Sequence, residues 1–203
     1  MSISAQERSR ISDAIRAAEA KTSGEIVCVL AQASSHVAAL PVLIAAVFAL
    51  ALPWLLVAFT AMAVDRILLL QAALFVVLLL LLCQPRVRAA LMPRKTRRAI
   101  AHRAAMEQFA MRGLARKKDR SGVMIFVSLA ERYARIIADD GIAARVPQAE
   151  WQAAVDALVA HMRDGRIADG FVQAIELCGE KLATHFPRTA TSGDELPDRI
   201  YVI

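Results

Sequence analysis

Cysteine is too scarce and too scattered in this chain to organise a fold. Cys28, Cys83 and Cys178 are odd in number and far apart, with no CxxC pair and no zinc-ligand spacing. A disulfide framework and a thiolate metal centre are therefore excluded, and reduced, buried thiols are expected. The signatures of nucleotide and acyl-transfer chemistry are missing too: there is no P-loop and no GxSxG. His36, His102, His161 and His185 share no ligand spacing and read as surface or capping histidines. Aromatic residues make up only 5% of the chain. They are sparse around its basic segment, where no nucleic-acid-binding motif occurs, so nucleic acid is not an expected partner. No internal repeat is visible.

Apolar length is what the chain has instead. Residues 38–64 and 67–83 form two hydrophobic runs separated only by Asp65 and Arg66, and Gln71 is their one strongly polar side chain. A bilayer core takes roughly 20 apolar residues to cross. The first run exceeds that length and the second lies at the short end of the workable range. The runs are internal, so neither is a signal peptide. Buried as a soluble core, they would need wrapping on every face by the remainder of the chain. A transmembrane helical hairpin is the expectation, with Pro53 kinking its first helix.

The net charge of +6 is concentrated just after the hairpin. Arg86, Arg88, Arg94, Lys95, Arg97, Arg98 and Arg103 follow with no acid among them. The positive-inside rule places this flank in the cytoplasm, and two crossings bring both termini there. The expected location is the inner (plasma) membrane. Arg86, Arg88, Arg94, Lys95, Arg97 and Arg98 are candidate ligands for anionic lipid headgroups.

The remainder reads as one α/β domain. Ser4 and Glu7 have the spacing of a capping box, and Ile11, Ile15 and Ala18 continue a helix to about Lys21. Residues 25–31 form a buried strand, and residues 94–118 a long helix with Pro93 at its start. Strands follow at 122–130 and 133–138, with Glu131 and Arg132 as a tight turn. Pro147 opens a helix that carries Trp151, read as a core anchor, and residues 167–185 form the last helix. A brief extended segment is expected at 201–203.

A lone strand before the hairpin cannot stand by itself, so it must pair with the strands after it. Strand, crossover helix, strand favours parallel pairing, and the 131–132 turn makes the next pair antiparallel. The expected fold is a small mixed β-sheet covered by helices, interrupted by the hairpin. Its parts are residues 1–37 (first part of the domain), 38–83 (hairpin), 84–98 (basic juxtamembrane segment), 99–186 (second part) and 187–203 (polar tail).

Five stretches carry a resemblance. They are Thr22-Ser23-Gly24-Glu25-Ile26-Val27, Ser121-Gly122-Val123 running into Ile125-Phe126-Val127, Ser128-Leu129-Ala130-Glu131-Arg132, Ile136-Ile137-Ala138-Asp139, and Asp169-Gly170. In order and spacing they resemble the TPM domain family of thylakoid, photosystem-repair and nematode receptor-modulator proteins. More narrowly, the chain looks like the bacterial branch in which a membrane hairpin interrupts the domain. The resemblance implies an α/β sandwich. It also implies one of several activities: weak acid phosphatase, calcium binding, or assembly and repair of membrane complexes. The family often opens its second strand with Asp-Asn-Gly, where this chain has Arg120-Ser121-Gly122, with Asp119 one place earlier.

A two-residue turn at 131–132 would pair Ala130 with Tyr133, Val123 with Asp140 and Met124 with Asp139. Asp119 would lie beyond the same end of the sheet. Asp119, Asp139 and Asp140 are thus the candidate metal ligands, with Ca2+ as the candidate ion, since hard cations take oxygen ligands. Turn chemistry at Asp139-Asp140-Gly141 explains the same residues without a metal. The expected function is a membrane-anchored binding or assembly module for other membrane proteins rather than an enzyme. A divalent-metal-dependent, phosphatase-like hydrolase and an anionic-lipid surface sensor are the alternatives.

Overall fold

The computed structural model describes residues 3–33, 39–84, 87, 93–114, 120–188 and 197–203. It divides into two compact units, Met1–Ser34 with Arg98–Ile203, and Ser35–Arg97.

The first unit is built on a four-stranded sheet in the order β3-β2-β1-β4. These strands are β1 (Glu25–Ala31), β2 (Gly122–Ser128), β3 (Tyr133–Ala138) and β4 (Ile200–Val202). β1 runs parallel to both β2 and β4, and β3 runs antiparallel to β2. Every residue of β1 and β2 is buried. That is why these segments read as continuous apolar runs rather than alternating ones: a central strand covered on both faces has no solvent side.

On one face, Ile26, Cys28 and Leu30 pack with Val123, Ile125, Val127 and Ile136. Three helices cover them: α1 (Ala5–Glu19), α6 (Gln152–Arg163) and α7 (Ile167–His185). The other face holds Val27, Val29, Met124, Phe126 and Ile137, packed with Ala105 and Phe109 of the crossover helix α4 (Arg94–Met111) and with Leu114. Trp151, 1% exposed, sits in the core as expected. The Ser4–Glu7 capping box is formed in both directions. The backbone N–H of Ser4 donates to the Glu7 carboxylate and, with the Ser4 hydroxyl, holds its pKa below the usual range.

Two expectations are corrected, and a third, the extended segment at 201–203, is borne out and extended. β2 ends at Ser128, and Ser128 rather than Ala130 pairs with Tyr133. The connection is therefore four residues, Leu129 to Arg132, and the register differs by two from the expected one. Arg132 takes a left-handed φ of 51°, and the Ser128 hydroxyl donates to the buried Glu131 carboxylate, which fixes the longer loop. α4 ends at Met111 instead of continuing to 118, because Gly113, at φ 79°, makes the left-handed stop that glycine favours. The tail contributes a true strand: β4 pairs with β1 through Cys28–Ile200, Val29–Tyr201 and Leu30–Val202.

The second unit contains α2 (Ala39–Phe59) and α3 (Val64–Cys83), packed against each other, with Ala45, Ala49, Ile67 and Leu82 buried. Asp65 and Arg66 do not separate the helices. They lie in the first turn of α3, where the carboxylate of Asp65 suits the positive end of the helix dipole. Both helices are long and apolar enough to cross a membrane. Most of their large apolar side chains are exposed, Trp54 and Phe59 to 82%. Outside this unit the exposed large apolar side chains among the described residues are Met106, Met111 and Ile203. Cys83 is exposed on α3, contrary to expectation, whereas Cys28 and Cys178 are buried and burial raises both thiol pKa values.

Candidate functional site

The chemistry-bearing residues gather at one end of the sheet, where β1 and β2 begin and β3 ends. Glu25 is paired in register with Gly122, and the Asp139 N–H donates to the Gly122 carbonyl at 2.9 Å. Glu25 and Gly122 thus stand side by side on β1 and β2, and Asp139, just past the end of β3, is tied to the same row. Glu25 is 4% exposed and Asp139 6%. Gly122 between them leaves no room for a side chain, since a Cβ there would lie 2.4 Å from a Leu114 methyl. The Thr22-Ser23-Gly24 turn closes this end. Thr22 Oγ1 accepts from the Gly24 N–H at 3.0 Å and donates to the Phe186 carbonyl at 2.6 Å, and Ser121 Oγ donates to the Ser23 carbonyl at 3.3 Å.

Asp139 caps α5, the short helix Asp140–Ala143, and its Oδ1 accepts from the Asp140 N–H at 2.8 Å. Its Oδ2 is buried and accepts from no donor among the described residues. Asp140 turns outward to 84% exposure and meets Arg120 Nη1 at 3.1 Å. Arg120 holds a left-handed φ of 45°, immediately before the buried Ser121. Its guanidinium thus brings a positive charge to the end of the sheet where the resemblance has an acid. Asp119 lies outside the described residues. Among those described, no three His, Cys, Asp or Glu side chains form a group that could hold a metal. One orphaned carboxylate oxygen is short of the six to eight oxygens calcium takes. The described residues alone do not fit a cation.

A second acidic pair lies beside the start of β1 and was not legible as a site. Glu19 Oε1 accepts the Ile26 N–H at 2.7 Å. Burial, with the Asp198 and Glu25 carboxylates nearby, pushes its pKa up to about 9. Arg16 Nε lies 3.5 Å from Asp198 on the other side.

The histidines stay apart. His102 Nδ1 is 3.4 Å from the Tyr133 hydroxyl, His161 meets Gln173, and His36 is outside the described residues. Of the basic candidates, Arg94, Lys95 and Arg98 are exposed and Arg97 is half-buried, while Arg86 and Arg88 lie outside the described residues.

Residues 86–181 match the family model of the TPM domain. This chain carries a TPM domain. The BA42 protein from the psychrophilic bacterium Bizionia argentinensis, solved by NMR, matches the fold with a TM-score of 0.64 and 23% identity. The match covers 100% of this chain and 97% of that one. A search of curated proteins finds no match. The family match begins after β1, yet β1 is a central strand of the sheet, so the TPM domain is completed by chain that precedes the apolar helices.

The capping role of Asp139 sets a test. Asp139→Ala is expected to cost about 1 kcal/mol, the usual value of an N-cap, read by thermal unfolding. The same cost with and without added Ca2+ identifies a cap alone. A cost that grows with Ca2+ identifies a cation ligand.

Proposed function

We propose that this protein is anchored in the plasma membrane by α2 and α3, with both termini in the cytoplasm, and that its TPM domain is a binding module for other membrane proteins. The observation that carries this reading is the insertion itself. Two helices with exposed apolar surfaces lie in sequence between β1 and β2, strands that pair along seven residues. Anchor and domain are thus inseparable parts of one chain. An unpaired apolar surface of this kind is stable in lipid and a liability in water. The basic residues of α4 suit anionic headgroups. Met106 and Met111, 45% and 71% exposed, offer a domain partner an adaptable apolar contact.

The Arg120–Asp140 pair favours binding over metal-dependent phosphatase chemistry, because a cation drawn to Asp140 would have to displace a guanidinium.

Protein extracted from membranes in mild detergent is expected to migrate in a complex with another integral membrane protein. Met106→Glu with Met111→Glu should dissolve that complex while leaving the melting temperature within a few degrees of wild type. Persistence of the complex in the folded double variant overturns the contact. External labelling of either terminus in intact cells overturns the topology. Phosphate release from p-nitrophenyl phosphate that depends on Asp139 favours the hydrolase instead.

A further inference from the structure

We propose that the hairpin pairs with a second copy of this chain, through an amide–amide contact between the two Gln71 side chains. The inference rests on the membrane reading above. Gln71 makes no side-chain hydrogen bond among the described residues. It stands seven residues into α3, about 10 Å from Val64 along the axis at 1.5 Å per residue, which places it inside a hydrocarbon core about 30 Å thick. Nothing in lipid replaces the two hydrogen bonds that water would give each end of the amide.

Gln71 also lies where another helix can reach it. A concave surface of about 470 Å³ opens between α2 and α3, lined by Ala46, Ala49 and Leu50 from one helix and Leu68, Gln71, Ala72 and Phe75 from the other. The α3 residues fall at spacings of three and four, so they present one face. The alanines allow a neighbouring backbone to come close, as small residues do at membrane helix interfaces.

A second copy satisfies the amide without further conditions. A carboxamide carries both a donor and an acceptor. Two copies related by a twofold axis along the membrane normal hold Gln71 at the same depth, so each amide can donate to the other and accept from it. A helix of a different protein would need its own polar group at that depth.

Cys83 gives the test a handle, since it is exposed while Cys28 and Cys178 are buried. Full-length protein carrying donor or acceptor dye on Cys83 is reconstituted in phosphatidylcholine–phosphatidylglycerol vesicles, and energy transfer is followed as protein is diluted in lipid. Wild type should show saturable transfer fitting a dimer. Gln71→Leu should weaken the dimer about tenfold, the effect of one to two membrane hydrogen bonds. Gln71→Asn, which keeps the amide, should stay within about threefold of wild type. Equal transfer in wild type and Gln71→Leu overturns the proposal, as does a wild type that is monomeric at every density. Dimer-free protein that associates only with an added membrane extract assigns the surface to another protein and also overturns it. Flotation separates the two failures. Protein that does not float with the vesicles refutes the membrane reading, whereas protein that floats as a monomer refutes only the pairing.

Discussion

Replacing Gly179 with alanine is expected to destabilise the domain by about 1–2 kcal/mol, and the same replacement in an Ala18→Gly background to stabilise it by up to about 1 kcal/mol. Gly179 lies in the middle of α7, where alanine is ordinarily better by about 1 kcal/mol. Here a Cβ at position 179 would stand 2.8 Å from the Ala18 Cβ and 3.4 Å from its Cα. Ala18 belongs to α1, and overpacking of this kind costs about 1–3 kcal/mol, enough to reverse the helix preference. Removing the Ala18 methyl makes room, and the preference returns. The coupling between the two sites should then be about 2 kcal/mol, measurable by a double-mutant cycle on urea unfolding. The cycle tests more than a glycine. Ala18 precedes the apolar helices and Gly179 follows them, so coupling exists only if both parts of the chain fold as one domain. Additive effects would mean that α1 and α7 do not meet in solution.

The central strands were legible because their chemistry is local and unambiguous. Ile26 to Ala31 and Gly122 to Val127 carry no polar side chain, and only full burial on both faces tolerates that. Strand, helix, strand order then dictates parallel pairing. The last helix, Ile167–His185, was legible at both ends. The register of β3 was not. Glu131-Arg132 carries no glycine or asparagine to mark the left-handed residue, and Arg132 adopts that conformation anyway. An extended segment was legible at 201–203, but not its pairing as β4 along the edge of β1.

The acidic end of the sheet was legible in outline and not in detail. Asp139 and Asp140 were expected there and are there, but their carboxylates have separate partners. Asp139 faces inward to cap a helix, and Asp140 faces outward to Arg120. The register shift accounts for part of this. β3 pairing ends at Ala138, so both acids follow the ladder instead of belonging to it, and they take on the turn chemistry that short acidic side chains favour. Glu19 could not have been singled out. It ends an amphipathic helix like many exposed glutamates, and its unusual environment is supplied by Asp198, from the far end of the sequence.

Glu19→Gln is expected to make the domain about 2–3 kcal/mol more stable at pH 9 and to leave it nearly unchanged at pH 4.5. Folding holds the Glu19 pKa at about 9, chiefly by burial and then by the neighbouring Asp198 and Glu25 carboxylates, against an ordinary value of 4.5. Between those values the folded chain binds a proton that the unfolded chain has released. Stability from this site is therefore fully present below about pH 4.5 and is lost as pH rises towards 9. The proton has a place to go: Asp198 Oδ1 is buried and receives no hydrogen bond from any permanently protonated donor among the described residues, and a protonated Glu19 supplies one. Glutamine reproduces that state at every pH. Its oxygen can accept the Ile26 N–H, and its amide can donate to Asp198. The magnitude is set well below the full shift because the site is not wholly enclosed and Arg16 lies on its outer side. Two tryptophans are present, Trp54 and Trp151, so a Trp54→Phe background makes the buried Trp151 the sole reporter of domain unfolding in detergent. Wild type should lose stability steadily from about pH 5 to pH 9, and Glu19→Gln should be flat across that range apart from background titrations. Parallel profiles would mean that Glu19 ionises normally, and that Asp198 is held by Arg16 alone.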